Sequence, residues 1–148
     1  MVQLDTDLKT NHTSLTAIVE DRAPELLALP GVGAITAAVI LCVWSHPGRV
    51  RSEAAMAQIA GTCPIPAPSG NTERHRLNRG GDRQPNWALN TIALTRMRDD
   101  SQTRVYVERR TTEGETRREI RRCLKRYATR QIYRTLTAAP SRGTRQDG

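Results

Sequence analysis

The sequence is constrained most by a tight turn, Pro30-Gly31-Val32-Gly33, that separates two apolar segments. The apolar residues on either side recur at intervals of three and four, which predicts a short helix over Glu25–Leu29 and a longer one over Ala34–Trp44. Glycine supplies the positive φ that such a turn requires, and Val32 is predicted to point into the core. The predicted buried face of the second helix consists of Ile35, Ala38, Val39, Cys42 and Val43.

This turn and its flanking helices match the helix-hairpin-helix pattern of many proteins that bind DNA without sequence specificity. The first N–H groups of the second helix have no partner within the helix, and with the helix dipole they can hold a phosphate. We therefore predict that Gly31 and Gly33 bring the backbone close to nucleic acid. The alternative is a helical corner that only packs.

The rest of the sequence predicts further helices, so the expected fold is a small all-α domain. Ser52 is the expected N-cap of one of them, and Gly61 its expected end. Further predicted helices span residues 3–22, Glu53–Ala60, about Pro85–Arg98, Gln102–Arg110 and about Glu115–Leu136. We divide the chain into an N-terminal helix at 1–23 that resembles the end of a coiled coil, a domain at 24–138 and a disordered tail at 139–148.

Residues 61–83 are predicted to form a long polar loop, because prolines at 64, 66 and 68 exclude a helix and disfavour a central strand. The loop has room for a small β-ribbon, and a loop this long in a small domain is usually functional. A serine hydroxyl among arginines suits a phosphoryl-transfer nucleophile, although these residue types are also ordinary in loops. The candidate residues are Ser69, Arg74, His75, Arg76, Arg79 and Arg83.

Positive charge is concentrated in the second part of the chain. The formal net charge is +8; residues 1–45 carry two basic and five acidic side chains, and residues 46–148 carry 21 and ten. Such a distribution favours a polyanionic partner, with a solvated surface as the alternative. In the last helix the predicted contacts to a nucleic-acid backbone are Arg118, Arg121, Arg122 and Lys125.

Several classes of protein do not fit this sequence. The three cysteines are far apart, which argues against a disulfide framework and a zinc site, and no acidic cluster for metal ions is apparent. No signal-peptide core and no stretch of 18 apolar residues is present, so we expect a cytoplasmic chain with no membrane partner.

Several motifs in a fixed order carry a specific resemblance. ELLALPGVGAITAAVIL is followed by RVRSEAA, AGTCPIPAPSG, RGGDR and CLKRYATRQIYRTL, over about residues 25–137. This series resembles the C-terminal transposase domain of the insertion-sequence-one-ten family. Members of that family are DEDD-type transposases that act as recombinases guided by a bridge RNA.

The resemblance implies that Ser69 attacks the DNA backbone and forms a covalent protein–DNA link. It also implies a RuvC-like domain with magnesium-binding carboxylates, a coiled coil, a guide RNA partner and a homo-oligomer. The RuvC-like domain does not precede the hairpin here, and Val50 stands where the family usually has Phe. We therefore expect no cofactor in this chain and a truncated transposase that is inactive alone. The alternatives are a stand-alone hairpin module that binds DNA or RNA without catalysis, and a decayed product that folds poorly.

Overall fold

A computed structural model describes residues 2–46, 48–62 and 83–139. These residues form helices and no strand, which confirms the all-α prediction for this part of the chain. The helices are α1 (Val2–Arg22), α2 (Pro24–Leu27), α3 (Ala34–Trp44), α4 (Glu53–Ala60), α5 (Arg83–Asp99), α6 (Ser101–Thr112) and α7 (Arg117–Ala138). The predicted β-ribbon and all but the first residue of the predicted tail lie outside the described residues.

Helix α1 forms where it was predicted, but only its last turns reach the core. Val19 is fully buried and Leu15 is half-buried, whereas Leu4 and Leu8 are exposed. The C-terminal end of α1 packs against α2 and α3. The first two turns of α1 therefore make no contribution to the core of the domain.

Three helices begin at a side chain that accepts a backbone N–H group. The hydroxyl of Ser52 accepts from Ala55 at the start of α4, which confirms the predicted cap. A carboxylate oxygen of Asp100 accepts from Thr103 at the start of α6. Thr116 and Glu119 form a reciprocal capping box at the start of α7. Such contacts satisfy N–H groups that have no partner within the helix.

The core lies where α5 and α7 pack against each other and against α2, α3 and α4. Burial of a Leu or Ile side chain contributes roughly 1.5–3 kcal/mol relative to exposure, so the large buried side chains of this core provide most of the driving force for folding. The largest fully buried side chains are Val19, Leu26, Ile40, Leu89, Ile92, Ile120 and Ile132. Val50 is also buried in this core.

The buried face predicted for α3 is wrong. Ile35 is 49% exposed and Cys42 is also exposed, while Ala37, Ile40 and Trp44 are buried. Helix α3 is apolar on all sides, so periodicity could not indicate which side α1 and α5 would cover.

Helical spacing also predicts burial of Trp87, Ile92 and Leu94 on α5 and of Ile120, Leu124, Tyr127 and Ile132 on α7, and three of these positions differ. Trp87 and Leu94 are 52% and 40% exposed on α5, where Ala88, Leu89 and Ile92 are buried instead. Tyr127 is 53% exposed on α7, although Ile120, Leu124 and Ile132 are buried as predicted. Small alanines allow close packing of α5 on its neighbours, and this close packing selects a face that residue size alone does not indicate.

Candidate nucleic-acid interface

The two glycines of the predicted hairpin have different backbone conformations. Gly31 has φ +75°, as predicted, whereas Gly33 has φ −100° and ψ 177°, which is ordinary extended backbone. The prediction of positive φ is therefore wrong for Gly33. Val32 is buried as predicted, and the N–H group of Gly33 donates to the Thr36 hydroxyl at 3.1 Å.

Arg96 of α5 hydrogen-bonds to this turn. Its Nε donates to the carbonyl oxygen of Pro30 at 2.6 Å, and its Nη2 donates to Oε1 of Gln131 at 2.8 Å. A Cβ at Gly31 would lie 3.0 Å from both Cγ of Arg96 and the carbonyl oxygen of Ile92. The turn is thereby held against α5 and tied through Arg96 to α7.

Burial lowers the pKa of Arg96, and the charge of Asp100 acts in the opposite direction. Arginine nevertheless stays charged in proteins, so this guanidinium is a buried cation with two acceptors. The sequence analysis missed it. The sequence did contain a signal for it: Arg96 continues the three- and four-residue spacing of the buried Leu89, Ile92 and Ala93, so it falls on the buried face of α5.

The four predicted cations of α7 share one face of the helix. Counted from Arg118, the other three follow at three, four and seven residues, a spacing that places them on the same side of a helix; they are Arg121, Arg122 and Lys125. Arg118 and Arg122 are exposed, and Arg121 and Lys125 are half-buried. We call these four residues the cationic stripe. None of them lies within ion-pair distance of a carboxylate of the described residues.

The electrostatic state of Lys125 shows that the stripe lacks counter-charge. Burial lowers its pKa, and the neighbouring charges of Arg121 and Arg122 lower it further. Its Nζ donates to a neutral acceptor, Oδ1 of Asn86, at 2.8 Å. An anion placed over the stripe would therefore relieve repulsion that the fold itself leaves in place.

Nearby carboxylates are engaged elsewhere. Oε2 of Glu119 accepts from the N–H group and hydroxyl of Thr116 at 2.8 and 3.0 Å. Farther along α7, Nε of Arg130 and of Arg134 lies 3.7 and 2.9 Å from carboxylate oxygens of Glu53 on α4. Arg130 and Arg134 of α7 are thus paired with α4, whereas the cationic stripe has no ion pair among the described residues.

The described residues that flank positions 63–82 attach to the same side of α7 as the stripe. The hydroxyls of Thr62 and Thr129 are 3.0 Å apart and buried, and Thr129 follows Lys125 by one helical turn. Asn86, which contacts Lys125, lies one turn after Arg83, and Arg83 is exposed. Ser69, Arg74, His75, Arg76 and Arg79 lie outside the described residues and stay predictions.

The described ranges contain no group of three or more His, Cys, Asp or Glu side chains arranged to hold a metal ion. Within the same ranges, no helix is long and apolar enough to cross a membrane. Cys42 and Cys123 are free thiols. The strongest feature for function in this part of the chain is therefore the cationic stripe.

Comparison with known proteins gives two matches. The family model described as "Transposase IS116/IS110/IS902 family" matches residues 23–108, from the end of α1 into α6. The "Insertion element IS110 uncharacterized 43.6 kDa protein" of Streptomyces coelicolor is 31% identical over 130 residues, with 76% of this chain and 32% of that protein covered. The chain therefore spans about a third of the length of that relative. The cationic stripe lies beyond the residues that the family model matches.

Proposed function

Because this chain belongs to the transposase IS116/IS110/IS902 family, we propose that it binds DNA during transposition through the cationic stripe of α7. One observation carries the proposal: four cations share a helix face and lack a carboxylate at ion-pair distance among the described residues. Phosphates would supply the missing counter-charge, and binding would release counterions from the DNA.

The dimensions of the stripe suit a stretch of one strand. Seven residues of helix rise about 10 Å, and a DNA strand carries a phosphate about every 3.4 Å of helix axis, so the stripe can contact about three phosphates. Contacts to phosphates position a protein on DNA without reading the sequence. The stripe would therefore hold any duplex, and the choice of target would come from another part of the system, such as the guide RNA that the resemblance implies.

The hairpin is the second contact in this proposal. Gly33 is exposed at the start of α3, and Gly31 fixes the turn against Arg96. The N–H group of Gly33 is bound to Thr36, so a phosphate would be held by the N–H groups of Ala34 and Ile35, which follow it in the first turn of α3. The support here is the buried anchor, because it holds the turn in one orientation relative to α7.

The chemical step that we propose uses Ser69. Its oxygen would form a bond to phosphorus while the bond from phosphorus to one deoxyribose oxygen breaks, and the serine proton would pass to that departing oxygen. Arg74, Arg76, Arg79 and Arg83 would stabilise the charge on the phosphate. Magnesium would be bound by carboxylates of the RuvC-like domain that the resemblance implies. The attachment of Thr62 and Asn86 to α7 supports this step, because both ends of the segment that contains Ser69 lie beside the stripe.

DNA binding is tested with a charge-matched pair of variants. The first, Arg118→Gln/Arg122→Gln, removes two exposed cations of the stripe; the control, Arg98→Gln/Arg104→Gln, removes two exposed cations from α5 and α6. We expect the stripe variant to weaken the Kd for a duplex of about 20 base pairs by roughly tenfold, because two phosphate contacts are lost. The control should stay within about twofold, since only its long-range charge changes. Equal losses in both variants would contradict the proposal.

The role of Ser69 is tested by complementation. The chain is mixed with a full-length family member whose own serine is replaced by alanine, together with magnesium and element-end DNA, and covalent adducts are read on a denaturing gel. We expect adducts with this chain and none with Ser69→Ala, although both bind duplex equally. Adducts that persist in Ser69→Ala would contradict the assignment, and binding without adducts in either chain would support the non-catalytic module.

A further inference from the structure

Helix α7 has a second solvent-facing side that the proposed duplex contact does not use. Tyr127 follows Arg118 by nine residues, which is two and a half helical turns, so it lies on the opposite side from the cationic stripe. Its side chain is 53% exposed, although the residue is aromatic.

The Tyr127 ring is held in place by α6. Its centroid lies 6.0 Å from that of Tyr106, and the two ring planes are at 89°, an edge-to-face pair. Tyr106 is half-buried, and the guanidinium groups of Arg109 and Arg110 lie 5.5 and 6.0 Å from its ring centroid. The arginines therefore occupy the neighbourhood of Tyr106, while Tyr127 is the ring that solvent reaches.

Each ring of this pair has an arginine near it. Arg126 precedes Tyr127 on α7, where its Nη2 donates to Sγ of Cys123 at 3.7 Å, and Arg109 lies over the Tyr106 ring on α6; both arginines are exposed. Neither lies within ion-pair distance of a carboxylate of the described residues. The two glutamates beside them, Glu113 and Glu115, are bound to Arg110. We call Tyr106, Arg109, Arg126 and Tyr127 the aromatic patch.

We propose that the aromatic patch binds an unpaired strand of DNA, with a base stacked on Tyr127 and phosphates held by Arg109 and Arg126. An aromatic ring stacks on any exposed base, and arginines beside it neutralise the backbone, which is the combination that binds single strands without reading sequence. Bases inside a duplex are stacked on each other and cannot reach the ring. The patch therefore discriminates unpaired from paired DNA.

This inference rests on the proposed function, because strand cleavage and rejoining expose unpaired bases. It extends that function by adding a contact on the side of α7 that carries Tyr127, with Arg126, four residues after Arg122, between this ring and the stripe. The stripe would hold duplex, and the patch would hold a strand released from it. Since Lys125 and Tyr127 are two residues apart on a rigid helix, the two strands would be kept at a fixed separation.

The test measures fluorescence anisotropy with two probes at one salt concentration, an oligo-dT of about 12 nucleotides and a blunt duplex of about 20 base pairs. The variants are Tyr127→Ala, Tyr127→Phe and, as a matched control on α6, Val105→Ala, whose side chain is 67% exposed. We expect Tyr127→Ala to weaken oligo-dT binding about tenfold, because the stacking ring is lost. Tyr127→Phe keeps the ring and should stay within about twofold of wild type. Duplex binding should be unchanged by all three.

A second variant separates stacking from any change in folding. Arg126→Gln leaves both rings in place and should weaken oligo-dT binding several-fold. The measurements are repeated in the Arg118→Gln/Arg122→Gln background, where binding of the oligo-dT to the stripe is weakened and the effect of Tyr127→Ala should persist. Unchanged oligo-dT binding by Tyr127→Ala in both backgrounds would overturn the inference, and so would oligo-U bound more than tenfold tighter than oligo-dT. Failure of the stripe variant to weaken duplex binding would instead refute the proposed function.

Discussion

Gly31 and Gly33 are two residues apart in the α2–α3 turn, yet the backbone makes different demands on them. Gly31 has positive φ and faces Arg96 and the Ile92 carbonyl, so it satisfies two constraints that a side chain would violate. Gly33 has extended backbone, and a Cβ there would meet nothing within 4 Å. The first glycine is required by the fold, and the second is open to substitution.

Gly31→Ala should therefore destabilise the domain by about 1–3 kcal/mol, because alanine rarely adopts this φ and its Cβ would contact backbone. Gly33→Ala should destabilise the domain by less than about 1 kcal/mol, because alanine is a poorer N-cap than glycine but adopts this φ without strain. Urea unfolding followed by circular dichroism measures both. A loss of stability in Gly33→Ala as large as in Gly31→Ala would refute this account of the turn.

Asp100 gives a pH-dependent contribution to stability. The hydroxyl and N–H groups of Thr103 lower the pKa of Asp100 below 3.8. A lowered folded-state pKa gives stability that is present above the unfolded pKa and is lost as pH falls through the folded one. Asp100→Asn keeps a capping oxygen without the charge. Its stability difference from wild type should therefore be largest near neutral pH and shrink below about pH 4; urea midpoints across this range measure it, and a pH-independent difference would contradict the assignment.

At the scale of elements, Arg96 joins three parts of the fold. Its side chain leaves α5, donates to the turn at Pro30 and donates to α7 at Gln131. The partners are separated in sequence from Arg96 by 66 and 35 residues. The proposed DNA surfaces on the hairpin and on α7 therefore keep a fixed relation through one buried guanidinium.

Arg96→Met should lower the free energy of unfolding by about 1–3 kcal/mol, because two part-buried hydrogen bonds from a charged donor, to the Pro30 carbonyl and to the Gln131 side chain, are lost. Arg96→Lys should retain part of the stability, since one ammonium cannot reproduce the two-pronged geometry of a guanidinium. Urea unfolding should give free energies of unfolding that decrease in the order wild type, Arg96→Lys, Arg96→Met. Hydrogen exchange at the Val32 amide, which bonds to Leu29, should accelerate in Arg96→Met. Wild-type exchange there would show that Arg96 does not hold the turn.

At the scale of the whole molecule, the stripe at the N-terminal half of α7 differs from the ion-paired cations of the described residues. Arg98 pairs with Asp99, Arg110 with Glu113 and Glu115, and α4 supplies Glu53 to the C-terminal half of α7. The N-terminal half of α7 lacks such a partner among the described residues. A polyanion would therefore meet its highest density of unneutralised cations there.

The salt dependence of DNA binding should report this arrangement. Each phosphate contact contributes about 0.9 to the slope of log Kd against log salt on duplex DNA. Arg118→Gln/Arg122→Gln should therefore lower that slope by about 2, and Arg98→Gln/Arg104→Gln should leave it nearly unchanged. Titrations at several salt concentrations measure both slopes, and equal slopes in the two variants would mean that the contact lies elsewhere on the molecule.

Local features of this protein were set by its sequence. The cap at Ser52, the end of α4 at Gly61 and the positive φ of Gly31 each depend on residues within a few positions, so their physics is complete in a short segment. The common face of the cationic stripe is local in the same sense, because helical spacing alone places its four residues together. That the stripe binds DNA, and that Ser69 is the nucleophile, are proposals.

Tertiary structure decided which surfaces are buried and which charges are paired. Helix α3 offered an apolar surface on every side, and only contact with α1 and α5 selected Ile40 over Ile35. Glu53 pairs with Arg134 across 81 residues of sequence, while Arg118 and Arg122 have no carboxylate at ion-pair distance among the described residues. Burial and ion pairing depend on atoms brought together by folding, and no local pattern in the sequence encodes those distances.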